Sequence, residues 1–327
     1  MRASLSARAA FRRRAPVHGK ARPTGAATAV GARGDFLLPP PSASAGQEAG
    51  VVLIPGLNID SRAYRPLLVA LQRAAEARGV SLYAGCVHYD WQVRERMAEG
   101  APWTPQGLGP RIDALTAALQ KQGMRSGGPL FHAAHCMSTA FLQDYLAGGR
   151  PTSGQILMGG CLLRKHCYPV FSYKVPTLTL AAELDCEEPL MRQAEQYRIH
   201  RNLDKAKFPL VVLEGQTHMQ FASGSRPGHM KPELPPAVSD EAAHNAIGEM
   251  AADFMGLQLR APGAGDTLER GVRSTGAHLL PALLAQEHAE PFWFNDPGPL
   301  AFQMHGGRQQ GNARAESASS DPWGDSC

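Results

Sequence analysis

Six short apolar runs recur along this chain with stretches of helical spacing between them, and that alternation limits the fold more than any other feature. The runs are Val51–Ile54, Val80–Val87, Leu130–Ala134, Ile156–Met158, Thr177–Ala181 and Pro209–Leu213. Each is too short for a helix and too continuously apolar for a strand with one wet face, so each reads as a strand covered on both sides. Between them apolar residues return every three or four positions. Tyr64, Leu67, Leu68 and Leu71 follow a Ser61 N-cap and stop at Gly79; Ile112, Leu115 and Leu119 form a second face; Phe141, Leu142, Tyr145 and Leu146 a third. Leu190–Ile199 and Asp240–Met255 complete the set. Strands alternating with helices imply an α/β fold: a mostly parallel sheet of about six strands with helices on both faces.

The folded body on this reading spans 51–256. Residues 1–34 carry eight basic residues and no acid and are rich in Ala and Ser, which marks a transit-like or disordered segment and an organelle, plastid or mitochondrion, as the destination; without import the chain is expected in the cytoplasm. Residues 35–50, with Pro39, Pro40 and Pro41, read as a linker. Residues 257–304 form a C-terminal helical extension, a helix over Leu268–Ala289 that Pro281 interrupts, and 305–327 a Gly-, Ser- and Arg-rich disordered tail.

Charge and cysteine spacing exclude several classes. The formal net charge of +4 comes from the first segment; the remainder holds 25 basic against 29 acidic residues, so nucleic acid is not an expected partner. No apolar run reaches the roughly 18 residues of a membrane span. The six cysteines lack C-x-x-C spacing, which argues against a zinc site or a disulfide scaffold, and no metal or cofactor is expected.

Three residues stand just past the ends of strands. In PLFHAAHCMSTA, residues 129–140, a buried strand turns sharply into a helix at Cys136, with small Ala134 and Ser138 two positions to either side. That spacing presents the central side chain at the tip of a tight turn, because bulk at the flanks would push strand and helix apart. Asp185 follows the strand in TLTLAAEL, and His218 follows the last strand in VVLEGQTH. Ligands of open parallel sheets bind at these carboxyl ends. Glu183, Glu187 and Glu188 stand near Asp185 as alternative acids, while His132 and His135 read as strand and turn residues.

In these motifs residues 51–256 resemble the α/β-hydrolase superfamily, particularly its compact serine-esterase-like members. AHCMST is similar to the GHSMGG-type elbow, PTLTLAAELD to the acid-bearing strand and GQTHMQFASG to the histidine loop. The departures are Cys for Ser, Ala and Ser for two spaced glycines, and the family's first two strands, for which 35–50 leave no room. The resemblance implies a Cys136–His218–Asp185 triad and an oxyanion hole from the N–H of Met137 and of Leu57 or Asn58. A thiol of ordinary pKa about 8.5 is mostly protonated at neutral pH, and a nearby imidazole with a helix N-terminus favours the thiolate. The expected function is hydrolysis of a small-molecule ester or thioester through an acyl-enzyme. Acyl transfer from a thioester donor, and a non-catalytic protein of the same fold, are the alternatives. Among Cys-bearing relatives the resemblance suggests dienelactone hydrolases and polyhydroxyalkanoate synthases.

Overall fold

A computed structural model of the protein describes residues 28–30, 34–42, 46–89, 107–167 and 170–295. Its centre is the expected parallel sheet, made by β3 (Gln47–Ile54), β4 (Val80–Cys86), β5 (Leu130–His135), β6 (Gly154–Met158), β7 (Thr177–Ala182) and β8 (Leu210–Leu213). Their spatial order is β4-β3-β5-β6-β7-β8, all parallel, with Leu53 opposite Ala133, Ala133 opposite Ile156 and Leu180 opposite Val211.

Two further strands correct the sequence reading. β1 (Thr28–Val30) and β2 (Asp35–Leu38) are antiparallel, and β2 extends the sheet against β4 with Phe36 opposite Cys86. Residues 35–50 are therefore not a linker, since they hold β2 and the start of β3, and two strands precede the parallel ones in the sheet. The run DFLL is four residues long and merges into a proline cluster, so it offers no period to read. It is nonetheless buried: Leu37 packs over Gly85, where an added Cβ would stand 3.0 Å from its Cδ2. The Gln72 amide donates to the carbonyls of Leu38, Pro39 and Leu82, pinning the end of β2 against β4.

Both faces of the sheet are covered, which is why its strands are apolar at successive positions. On one side lie α1 (Arg65–Glu76) and α6 (Asp240–Leu259); on the other α2 (Leu108–Lys121) and α3 (Ser138–Ala147). β3 alternates between them, with Val51 and Leu53 facing the first layer and Val52 and Ile54 the second. α1 and α6 approach closely because Gly248 lacks a side chain; a Cβ there would stand 3.0 Å from the Ala70 main chain. Ser239 caps α6 by accepting the Ala242 N–H at 3.2 Å. A short α4 (Arg164–Cys167) and α5 (Leu190–His200) complete the connections between β6, β7 and β8.

The chain continues into α7 (Asp266–Asn295), which runs through Pro281 rather than being interrupted there. Pro281 is on the exposed side, where the carbonyl that loses its donor faces water. α7 covers the open edge of the sheet: Thr275 Oγ1 accepts the Val212 N–H at 2.9 Å, and Gly271 lets the helix approach Val211. An edge amide of β8 is thereby satisfied by a side chain instead of being left to pair with another strand. No helix among the described residues is long and apolar enough to cross a membrane. The N-terminal segment up to residue 27 and the tail 305–327 lie outside the described residues.

Candidate active site

The turn between β5 and α3 is strained at one residue. Cys136 has φ +60, a region L-residues enter at a cost of about 1–2 kcal/mol. What holds it there is packing on every side. The Cys136 N–H donates to Met158 O on β6 at 2.9 Å, and its carbonyl accepts the Thr139 N–H at 3.0 Å and hydroxyl at 2.8 Å. The flanking small residue is explained by Ser138, whose hydroxyl donates to Pro55 O at 2.5 Å in a fully buried contact. Gly56 is needed for the same closeness, since a Cβ on it would lie 3.2 Å from that of Cys136. The loop after β3 is thus pressed against the elbow.

Asp185 and His218 meet directly. The His218 Nδ1–H donates to Asp185 Oδ2 at 2.7 Å, and both side chains are buried. The carboxylate is fixed by its other oxygen, which accepts the N–H groups of Glu187 at 2.9 Å and Glu188 at 2.7 Å. His218 opens a 3-10 turn, His218–Phe221, which is held by reciprocal bonds between Thr217 and Gln220. Burial alone opposes a charge on His218, but Asp185 and the Cys136 thiol, both acting on the ring, outweigh it and raise its pKa well above the ordinary histidine value. With Nδ1 engaged, Nε2 has no hydrogen-bond partner among the described residues.

Of the four acids near the end of β7, Asp185 is the one that accepts the His218 Nδ1–H. Glu183 accepts the Gly215 N–H at 2.7 Å, and Glu187 takes the Lys231 N–H. Glu188 pairs instead with Arg192 at 3.4 Å, and burial pushes its carboxyl up to about 8. His132 lies on Thr152, 3.1 Å from its hydroxyl, away from the other two histidines of this region.

The N–H groups of Met137, Leu57 and Asn58 donate to no acceptor among the described residues. Asn58 has φ +56, a second left-handed residue in the loop beside the elbow.

Three residues of this region carry no clear mark in the sequence. Gly159 follows β6 with φ +54, and a Cβ there would stand 2.9 Å from His218 Nδ1 and 3.3 Å from Asp185 Oδ2. Tyr64, read as a helix-packing residue, places its hydroxyl 2.7 Å from His135 Nδ1, and the His135 ring lies 4.5 Å from that of His218. The Gly-Gly pair after β6 was the available signal for the first; nothing local distinguishes the other two. Among the described residues no three His, Cys, Asp or Glu side chains are grouped to hold a metal.

No family model matches the sequence, and no curated protein does. Among solved structures the chain is similar to XC6422 from Xanthomonas campestris, an α/β serine hydrolase without a lid, at 14% identity and TM-score 0.38 over 56% of this chain and 79% of that one. It is similar to Est1E from Butyrivibrio proteoclasticus at 13% identity and TM-score 0.41, over 68% of this chain and 94% of the other. The esterase domain of a Rhodothermus marinus protein stands at 12% and 0.41, over 68% and 92%. Likeness at this level says nothing of substrate or reaction, which rest on the residues themselves.

Proposed function

We propose that this protein is an acyl hydrolase that cleaves a small-molecule ester or thioester through an acyl-cysteine intermediate. One arrangement carries the reading: a buried Asp185–His218 pair at 2.7 Å, with Cys136 held at φ +60 on a strand-to-helix turn.

The chemistry follows from that arrangement. His218 takes the thiol proton at Nε2, and Asp185 stabilises the imidazolium and fixes its orientation. The thiolate adds to the substrate carbonyl carbon, and the carbonyl π pair moves to oxygen, where the N–H groups of Met137 and of Leu57 or Asn58 receive the charge. The carbonyl re-forms as the bond to the leaving alcohol or thiol breaks, and His218 returns the proton to that group. A water molecule, deprotonated by His218, then cleaves the thioester, releasing the acid and restoring the thiol. Thiolate leaves more readily than alkoxide, so the adduct with a plain alkyl ester tends to collapse backwards. Thioesters, lactones and activated esters are the better substrates.

Intact-mass measurement after exposure to an activated ester tests this. The expected result is one acyl group on Cys136 that disappears with time as free acid accumulates. Undiminished turnover by Cys136→Ala overturns the assignment, and so does failure of a thiol-directed probe to label Cys136 in the folded protein.

A further inference from the structure

Tyr64 and His135 have no part in the steps above, yet both are fully buried beside them. Tyr64 closes the 3-10 turn Ser61–Tyr64 that leads into α1, and its hydroxyl reaches two separate segments. The oxygen accepts the Gly56 N–H at 2.8 Å, at the head of the loop that carries Leu57 and Asn58. At 2.7 Å on its other side is Nδ1 of His135, the residue before Cys136. The ring of His135 in turn lies 4.5 Å from that of His218, tilted by 38°. One hydroxyl therefore links the oxyanion loop, the elbow and, through an aromatic contact, the base.

Pairing each donor at the Tyr64 oxygen with an acceptor assigns these bonds a direction. The Tyr64 oxygen receives a hydrogen from Gly56 and has one of its own to give, and His135 Nδ1 is its acceptor among the described residues. His135 then carries its proton on Nε2, a buried nitrogen with no hydrogen-bond partner among the described residues. Burial, and next the charge on His218, keep His135 well below the ordinary histidine range, so its ring is neutral. A neutral ring suits the place, because His218 becomes an imidazolium during the reaction and a second cation at 4.5 Å would oppose it. A phenylalanine at 64 would fill the same space but leave the Gly56 N–H and His135 Nδ1 buried without partners.

We propose that Tyr64 and His135 are positioning residues: Tyr64 sets the oxyanion loop through Gly56 and locks His135 as the neutral Nε2–H tautomer, which forms the wall that orients His218. The kinetic part of this inference rests on the acyl-hydrolase reading; the tautomer lock rests on geometry alone.

Two measurements separate them. In full-length protein with 15N-labelled histidine, His135 is expected to show a protonated Nε2 and a bare Nδ1 and not to titrate across about pH 5 to 8, where an ordinary histidine does. In Tyr64→Phe the Nδ1 resonance should move. A His135 protonated on Nδ1, or one titrating near the ordinary value, overturns the proposal whether or not the protein turns over any ester. In steady-state hydrolysis of p-nitrophenyl acetate, Tyr64→Phe and His135→Leu should lower kcat by about 10–100-fold with KM changed less than about twofold, below the loss from deleting an oxyanion donor outright. His135→Asn, whose amide oxygen can accept the Tyr64 hydrogen, should recover most of that loss. Equal kcat for the Asn and Leu variants, or a fall in melting temperature with kcat unchanged, overturns it. A wild type that neither acylates nor turns over removes the hydrolase reading, and the NMR result still decides the lock.

Discussion

His218 donates from Nδ1 to Asp185 at 2.7 Å while two main-chain N–H groups hold the other oxygen of the same carboxylate, so the imidazole is oriented by a partner that cannot rotate away. Replacing that carboxylate tests its role. Asp185→Asn keeps the volume but removes the charge that stabilises an imidazolium, and the cost in comparable triads is on the order of 10⁴ in kcat. The burst rate of Cys136 acylation by an activated ester should fall by a factor approaching that. A rate within threefold of wild type contradicts the assignment.

Gly159 is the tightest steric constraint on the pair. An alanine would bring a methyl group within 2.9 Å of His218 Nδ1 at a backbone φ of +54. Gly159→Ala should weaken the protein by about 1–2 kcal/mol in urea unfolding, from the left-handed backbone, and cut acylation more than tenfold by displacing the ring. A variant with wild-type kinetics shows that the ring does not need this space.

Two histidines outside the proposed triad contribute to acid stability. His132 and His200 are buried, and burial lowers each from 6.5 to about 4. Both are neutral when folded, so below 6.5 the unfolded chain binds protons that the folded chain refuses. Their contribution is present above that value and is lost as pH falls towards 4. His218, whose pKa is raised, works in the opposite sense: its contribution is complete below the unfolded value and fades as pH rises through the folded one. Urea midpoints of wild type should drop between pH 6.5 and 4, and a His132→Gln/His200→Gln double variant should drop less over that range. Parallel curves for the two proteins refute the attribution.

Asp253 joins three helices. Buried on α6, it pairs with Arg78, just past the end of α1, and accepts the N–H groups of Thr267 at 2.7 Å and Leu268 at 2.9 Å at the start of α7. Asp253→Ala leaves those amides and part of the Arg78 charge without a partner. The expected loss is about 3 kcal/mol in urea unfolding. A loss below about 1 kcal/mol places the stabilisation elsewhere, in the Arg78–Glu249 pair.

The parallel strands were legible because burial on both faces leaves a local mark, a short run of apolar residues such as Val51–Ile54. β2 left no such mark: DFLL is too short to show a period, and its burial comes from Gly85 and Gln72, some 35 to 50 residues away. Pro281 marks a break by its chemistry, but its exposed position in α7 tolerates it. Cys136, Asp185 and His218 could be nominated because each follows the end of a strand. Gly159, Tyr64 and His135 could not, since a glycine, a tyrosine and a histidine in those contexts have many ordinary uses.

The sequence by itself determined the alternation of strands and helices, the face each helix buries and the three residues that stand at strand ends. Those properties depend on neighbours within a turn or a strand, and the chain states them directly. The tertiary structure alone decided that β3 lies between β4 and β5, that two antiparallel strands extend the sheet, and that Asp185 rather than Glu183, Glu187 or Glu188 reaches His218. It also decided that one tyrosine hydroxyl ties Gly56 to His135. These are distances between segments far apart in the chain, and they are set by how side chains of both layers pack, a quantity no local pattern contains.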